Sequence, residues 1–341
     1  MLTQKEAEYL RKELDTARNP LFLHDADGDG LGAYLVLYRI NKEGKHIALT
    51  KTSCVGVQFL RKVEEINPDK IFVLDVPLME QEFADKVNRP IFWIDHHPPQ
   101  DIKKVKYYNP RIKDPEAYIP TTMMAYQISQ KPEDMWLAVA GCLADHYKPD
   151  FLNEFIKLHP GWLDKEEDLP TMLFKRQIGK LAKLLFFIQK GPSSEVRKSV
   201  KILTKISSPD EIFKEETPAG KFIHKRFKKI DEMFEELLKT AKKSVSRSKL
   251  ILFFYTEQQW SFTANLANEL FGLNPTKYVI IARKKDGWVK CSLRGDNVLI
   301  YLKEALQGID GSGGGHPVSC GAVINEKDWD RFITNFKLAI K

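Results

Sequence analysis

The stretch Leu21-Phe22-Leu23-His24-Asp25-Ala26-Asp27-Gly28-Asp29-Gly30 decides the fold. It opens as a short apolar strand, runs straight into three carboxylates within five residues, and continues from Leu31 as an apolar helix. The same grammar recurs downstream. His46–Thr50 reads as a strand; Lys70–Leu74 is a strand ending at Asp75; residues 78–88 read as helical; Ile91–Ile94 is a strand ending at Asp95. Short apolar strands alternating with helical stretches predict an α/β fold, a doubly wound and mostly parallel sheet covered on both faces. In such sheets ligands gather at the carboxyl ends of the strands.

Those ends are acidic. Three like charges this close repel one another, and a fold tolerates them where a divalent cation offsets the repulsion. An EF-hand is excluded, because counting from either Asp25 or Asp27 leaves no Glu at position 12 and the following residues are apolar and helical. Asp95 is followed by His96, His97, Pro98 and Pro99, and a further acid, Asp145 with His146 beside it, closes another apolar stretch. A lone Asp at a strand end is commonly a turn former or a helix cap. It is the joint occurrence that points to a metal site, built from separate segments meeting at one sheet edge. Oxygen donors with one or two imidazoles suit manganese or magnesium better than zinc, and several acids can hold two ions a few ångströms apart. The four cysteines, Cys54, Cys142, Cys291 and Cys320, lie far apart with no CxxC, so neither a zinc ribbon nor a disulfide framework is expected.

The 341 residues suggest two domains, and 43% hydrophobic with 29% charged residues describe a globular chain with a charged surface. The charged N-terminus does not read as a signal peptide, and no apolar run approaches a membrane span, so a cytoplasmic protein with no membrane partner is expected. Residues 119–148 read as packing helices broken near Gln130-Lys131-Pro132. Residues 151–250 hold 22 basic against 14 acidic residues, a net +8 where the whole chain carries +7. Lys221, Lys225, Arg226, Lys228 and Lys229 cluster there, either as a phosphate-attracting face or as a solvated helix face. A second domain begins near Lys249, with a hairpin turned at Asp286-Gly287, a helix from Asn297, a glycine-rich loop Gly311–His316 and an amphipathic closing helix bearing Trp329, Phe332, Ile333 and Phe336.

Taken in order, Asp25-x-Asp27-x-Asp29-Gly30, then Asp75, then Asp95-His96-His97, then Ala144-Asp145, with Gly313-Gly314-Gly315-His316 near the end, resemble the motifs of the DHH–DHHA1 phosphoesterase superfamily. The first motif is most similar to that of RecJ-type exonucleases, and the size and two-domain plan resemble the archaeal RecJ-like exonucleases of the Hef-associated kind. The resemblance covers roughly residues 15–150 and 249–341; the helical middle matches only in general character. It implies a DHH catalytic domain over 1–150, a basic helical linker over 151–248 and a smaller α/β DHHA1 substrate-binding domain over 249–341. It further implies two manganese ions, with magnesium as a substitute, held by Asp27, Asp29, Asp75, His96 and Asp145. Asp75 would bridge them, and Asp25 would be a further ligand or a supporting acid. His97 would sit beside the scissile phosphate as a catalytic residue, oriented by Asp95. His24 departs from relatives that carry a ligand histidine just before the first acids, and it is given no role. In the second domain Arg294, Gly313, Gly314, Gly315 and His316 are implied to grip substrate phosphate.

The function expected from this resemblance is a manganese-dependent exonuclease on single-stranded DNA or RNA in DNA repair or replication. Water activated by the ions would be its nucleophile, and its strand would pass the basic helices. Polarity 3′→5′ and a helicase or repair-protein partner are implied with it, and a homo-oligomer is open. The alternative within enzymes is a phosphodiesterase for short RNA or cyclic dinucleotides, which the basic segment disfavours. The alternative of another class is a non-catalytic repair or replication scaffold, a fate tied to loss of the acids, all of which are present here.

Overall fold

Leu21, Phe22, Leu23 and His24 are all buried, as a strand covered on both faces requires. A computed structural model describes residues 1–50, 52–256 and 259–341. In it, this strand (β1, Leu21–Asp25) lies between β2 (Lys45–Leu49) and β3 (Ile71–Leu74), followed outward from β3 by β4 (Ile91–Ile94) and β5 (Lys106–Tyr108), all parallel. The chain passes from β1 to β2 on one side and returns to β3 on the other, so strand order reverses between β1 and β3. Their carboxyl ends flank the switch point where open α/β sheets bind ligands, and those ends are Asp25 and Asp75. The strand Lys106–Tyr108 was not foreseen, since its polar, half-exposed residues show no apolar run.

Helix α1 (Gln4–Asp15) is started by a Thr3–Glu6 capping box. Helix α2 (Gly28–Asn41) follows β1 directly and is buried along most of its length. It packs on α3 (Thr121–Ser129) and α4 (Met135–Ala144), with the expected break between these two. The crossing is close because it is made of small residues: a Cβ on Gly32 would stand 3.0 Å from the Gly141 Cα and 2.7 Å from Thr122 Oγ1. Helix α5 (Gly179–Ile188) turns Leu181, Leu184, Leu185 and Ile188 inward and packs on α4 and α2.

By contact the chain forms two units, Met1–Phe227 and Lys228–Lys341, with the division inside the long helix α6 (Pro218–Lys242). Most of the segment expected as a linker therefore packs with the first unit, because helices such as α5 have apolar faces that need burial.

The second unit has a five-stranded sheet in the order β9-β10-β8-β7-β6, built from β6 (Leu250–Tyr255), β7 (Tyr278–Lys285), β8 (Trp288–Arg294), β9 (Gly311–His316) and β10 (Ser319–Asn325). Asp286 at φ 53° and Gly287 at φ 78° form the expected turn between β7 and β8. Helices α7 (Thr263–Leu273), α8 (Val298–Ala305) and α9 (Trp329–Ala339) accompany it, and Val298, Leu302, Phe332 and Phe336 join the sheet in one core. Gly311–His316, expected as a loop, is an exposed edge strand paired antiparallel with β10. Its glycines have no strand preference of their own, but the apolar strand β10 supplies the ladder. Among the described residues no helix is long and apolar enough to cross a membrane. All four cysteines are free thiols, three of them buried.

Candidate metal centre

Asp25 ends β1, and its Oδ1 accepts the Ala26 N–H at 2.7 Å. Two residues on, Asp27 caps α2 by accepting the Gly30 N–H at 2.9 Å. Asp29, in the first turn of α2, points inward, and its carboxylate accepts the first N–H groups of α3, Thr121 at 2.7 Å and Thr122 at 2.8 Å. The glycine spacing follows from this crowding. A Cβ on Gly30 would stand 2.6 Å from the Asp25 carbonyl oxygen, and one on Gly28 would collide with Ala144 at the end of α4.

From β3 the chain enters Asp75 in the left-handed region, φ 59°, a conformation that Asp tolerates better than most residues. Its carboxylate accepts from Thr121 Oγ1 at 3.2 Å. After β4, His96 turns its Nε2 to three acids: 3.3 Å to Asp75, 3.7 Å to Asp145 and 4.0 Å to Asp29. His97 goes to Asp95 instead, Nδ1 to Oδ1 at 2.7 Å, and stands 4.0 Å from Asp75. Among the described residues, three groups of donor atoms lie close enough to share an ion: Asp25, Asp27 and Asp75; Asp75, His96 and His97; and Asp29, His96 and Asp145. Asp75 and His96 each belong to two of them.

Burial first, and then mutual repulsion, raises the carboxyls of Asp25, Asp75 and Asp145, and pushes Asp27 up to about 7. Asp145 Oδ2 is buried and has no hydrogen-bond partner among the described residues. Carboxylates that resist ionisation together, one with an orphaned buried oxygen, and imidazole at their centre fit divalent cations with hard oxygen ligands. His97 moves the other way. Burial opposes its charge, but the Asp95 hydrogen bond and the surrounding acids outweigh it and raise its pKa.

Six further residues support the site and were missed in the sequence. Asn109 Nδ2 reaches Asp95 Oδ2 at 3.2 Å and the His97 carbonyl at 2.9 Å, and the Tyr107 hydroxyl donates to Asp95 Oδ2 at 3.1 Å. Thr121 and Thr122 hold Asp29, Gln189 after α5 donates to the Asp27 carbonyl, and the Tyr118 hydroxyl donates to the Asp145 carbonyl at 2.9 Å. A Thr pair just after Pro120 marks the start of a helix, where free N–H groups attract an acid. That signal was available.

His24 stands apart from the three groups. Its Nδ1 bonds the Asp25 backbone carbonyl at 2.7 Å, its ring stacks on Tyr34 and His46, and it is pushed down to about 3 by burial and the neighbouring His46. His146 is in none of the three groups either.

In the second unit, Arg294 Nε donates to Asn268 at 2.6 Å, and Nη1 donates to the carbonyls of Leu293 at 2.8 Å and Cys320 at 3.3 Å. Burial lowers its pKa to about 10. Gly313, Gly314, Gly315 and His316 lie on β9, across β10 from Arg294, and the Cys320 thiol donates to the His316 carbonyl.

Residues 21–145 match the model of the DHH family, N-terminal domain. No curated protein matches the chain. Among solved structures it is similar to RecJ from Thermus thermophilus in complex with Mn2+, at 14% identity and TM-score 0.60, over 98% of this chain and 54% of that one. It is also similar to an exonuclease RecJ bound to manganese, at 13% and 0.59, over 99% and 94%. A third is a DHH domain from a member of the s1p family of ribosomal proteins, at 14% and 0.66, over 98% and 89%. The chain thus spans about half the length of the Thermus protein, and at these identities the likeness is one of fold.

Proposed function

We propose that this chain, whose residues 21–145 match the DHH family N-terminal domain and whose fold is similar to that of RecJ, is a metal-dependent phosphodiesterase of the DHH–DHHA1 superfamily that acts as an exonuclease on single-stranded DNA or RNA. The observation that supports this most is the sharing of Asp75 and His96 between neighbouring donor groups, an arrangement suited to two adjacent ions. Asp27, Asp29, Asp75, His96 and Asp145, with Asp25 beside them, would hold two Mn2+, or Mg2+ in their place. When bound, such ions acidify water as a nucleophile and offset charge on phosphoryl oxygens.

The chain's own groups do the rest. Asp95 accepts from His97 Nδ1 and so orients the ring, and in the protonated ring Nε2 would donate to a phosphoryl oxygen. The Asp95 hydrogen bond and the surrounding acids raise the pKa of His97 against its burial, which favours that protonated form. Thr121 and Thr122 hold Asp29 against rotation, and Asn109 holds the backbone of His97. No protein nucleophile is needed.

Substrate grip is assigned to Arg294, Gly313, Gly314, Gly315 and His316, and the exposed basic residues of 151–248 would make binding salt-dependent. A role in repair or replication in the cytoplasm, beside a helicase or repair protein, accords with this activity, and so does 3′→5′ polarity. Assembly of every acid speaks against a silent scaffold. The test uses end-labelled single strands of 5 and 30 nucleotides with Mn2+, Mg2+ or chelator. Shortening of the 30-mer in Mn2+, lost in chelator, is expected; cleavage of the 5-mer alone would favour the short-RNA or dinucleotide reading. Asp75→Asn, which keeps the left-handed backbone tolerable, is expected to lower turnover by more than about 100-fold, beyond the loss typical of an outer-shell residue. Retained turnover would remove Asp75 from the site.

A further inference from the structure

Twelve residues, Asn109-Pro110-Arg111-Ile112-Lys113-Asp114-Pro115-Glu116-Ala117-Tyr118-Ile119-Pro120, join β5 to α3. The acidic centre ties this strap down at both ends. At one end Asn109 bonds Asp95 and the His97 carbonyl; at the other, Thr121 and Thr122 bond Asp29, and Thr121 bonds Asp75. Between the anchors its shape is set by prolines at 110, 115 and 120, by Arg111 Nε donating to the Pro115 carbonyl at 2.8 Å, and by Ala117 N–H donating to the Asp114 carbonyl at 2.9 Å.

Tyr118 is the residue this strap presents beside the centre. Its hydroxyl is latched to the Asp145 carbonyl, and its ring meets the His96 ring edge-on, centroids 5.5 Å apart at 62°. Yet 51% of the residue's surface is exposed. The other large exposed aromatics among the described residues, Phe254 and Trp288, belong to the second unit. Trp93 is fully buried, and Tyr107, half-exposed, is stacked on it with its hydroxyl engaged with Asp95. An exposed ring held at both its hydroxyl and its edge, against a proposed metal ligand, gains little from packing. It suits a flat apolar ligand one residue from the reacting phosphate, and its fixed position lowers the ordering cost of binding.

We propose that Tyr118 is a nucleobase-stacking residue of this site, so that the substrate is a base-bearing phosphodiester chain and not inorganic polyphosphate. The inference rests on the nuclease reading and deepens it. Stacking a base on an aromatic side chain is worth roughly 1–3 kcal/mol by alanine substitution, a factor of about 5 to 150 in affinity. It tolerates every base, because each has a π-face.

The test compares a single strand whose two terminal residues are abasic, at each end in turn, with the fully base-bearing strand. kcat/KM is read in Mn2+, and binding is read by anisotropy in Ca2+ at matched occupancy of the metal site. The wild type is expected to prefer the base-bearing strand by at least about fivefold in both readouts, as the stacking range requires. Tyr118→Phe keeps the ring and is expected to keep that preference. Tyr118→Ala is expected to lose it, treating both strands as the wild type treats the abasic one. Equal handling of both strands by the wild type overturns the proposal, as does undiminished preference in Tyr118→Ala. So does an equal loss in Tyr118→Phe and Tyr118→Ala, which would make the hydroxyl latch the whole role of the residue. A wild type that cuts no strand in any metal refutes the nuclease reading, while the binding arm still decides Tyr118.

Discussion

Replacing Asp27 by Asn should stabilise the metal-free protein while removing its response to metal. Asp27 is a neighbour of Asp25 and Asp29, and burial followed by their repulsion raises its carboxyl from the ordinary 3.8 to about 7. A carboxyl raised on folding favours the fold while protonated. Its contribution is whole below 3.8 and is lost as pH rises through about 7. At pH 8 in chelator the ionised group therefore costs the fold up to ~4 kcal/mol at 1.36 kcal/mol per pKa unit. Solvent contact at this partly exposed side chain reduces that, so about 2–4 kcal/mol is expected. Asn carries no charge and caps α2 as well as Asp does, so Asp27→Asn isolates the electrostatic effect. For a unit of this size the gain is about 5–15 °C in melting temperature. At pH 5.5 the gap should shrink to roughly half, because the wild type is then protonated when folded. Excess Mn2+ at pH 8 should raise the wild type by ~3 kcal/mol at about a hundred times its dissociation constant, and the variant much less. Differential scanning fluorimetry with and without chelator reads all of this. An Asp27→Asn protein that melts no higher than wild type in chelator at pH 8, or that gains as much from Mn2+, would refute the reasoning.

Gly141→Ala touches no ligand, yet its new methyl would press into the Thr122 side chain, whose N–H and hydroxyl both hold Asp29. Overpacking of about 1–3 kcal/mol and a fall in Mn2+ affinity of about tenfold are expected; calorimetric titration that finds wild-type affinity would uncouple the helix crossing from the centre. Arg294→Ala should raise the oligonucleotide dissociation constant in Ca2+ by at least about tenfold and leave Mn2+ affinity unchanged, with equal loss of both counting against separate roles. Because Arg294 also bonds Asn268 and two carbonyls, chemical denaturation should show the second unit weakened by about 1–3 kcal/mol.

The sheet was legible because β1, β3 and β4 are buried on both faces and so read as unbroken apolar runs, each stopping at an acid. The five ligands implied by resemblance and the Asp95–His97 pair do converge, since the parallel topology brings strand ends together whatever lies between them in sequence. The supporting residues were not legible for the converse reason. Asn109, Tyr107 and Thr121 act through hydrogen bonds to residues 12 to 92 positions away, and nothing in local composition reports such a distance. Gly311–His316 misled because strand formation there is imposed by its partner. Periodicity can detect a helix that buries one stripe, but it cannot say which neighbour buries it, and so the packing of α5 on α2 and α4 stayed hidden.

The acids of this centre serve as helix caps as well as candidate ligands, and that double use explains why so much like charge survives in one place. Asp27 accepts from the first turn of α2, and Asp29 takes the first two N–H groups of α3. Each helix N-terminus carries about half a positive charge, so two of them aimed at adjacent carboxylates offset part of the repulsion before any ion arrives. The part left over falls on Asp75 and Asp145, whose oxygens meet His96 and few other donors, and burial with the neighbouring acids raises both carboxyls. The fold thus satisfies the acids it needs for its own helices and leaves its least satisfied oxygens where Asp75 and His96 join the donor groups. Charge still lacking a partner after folding is what a divalent cation recognises, and here it is concentrated at the switch point of the sheet.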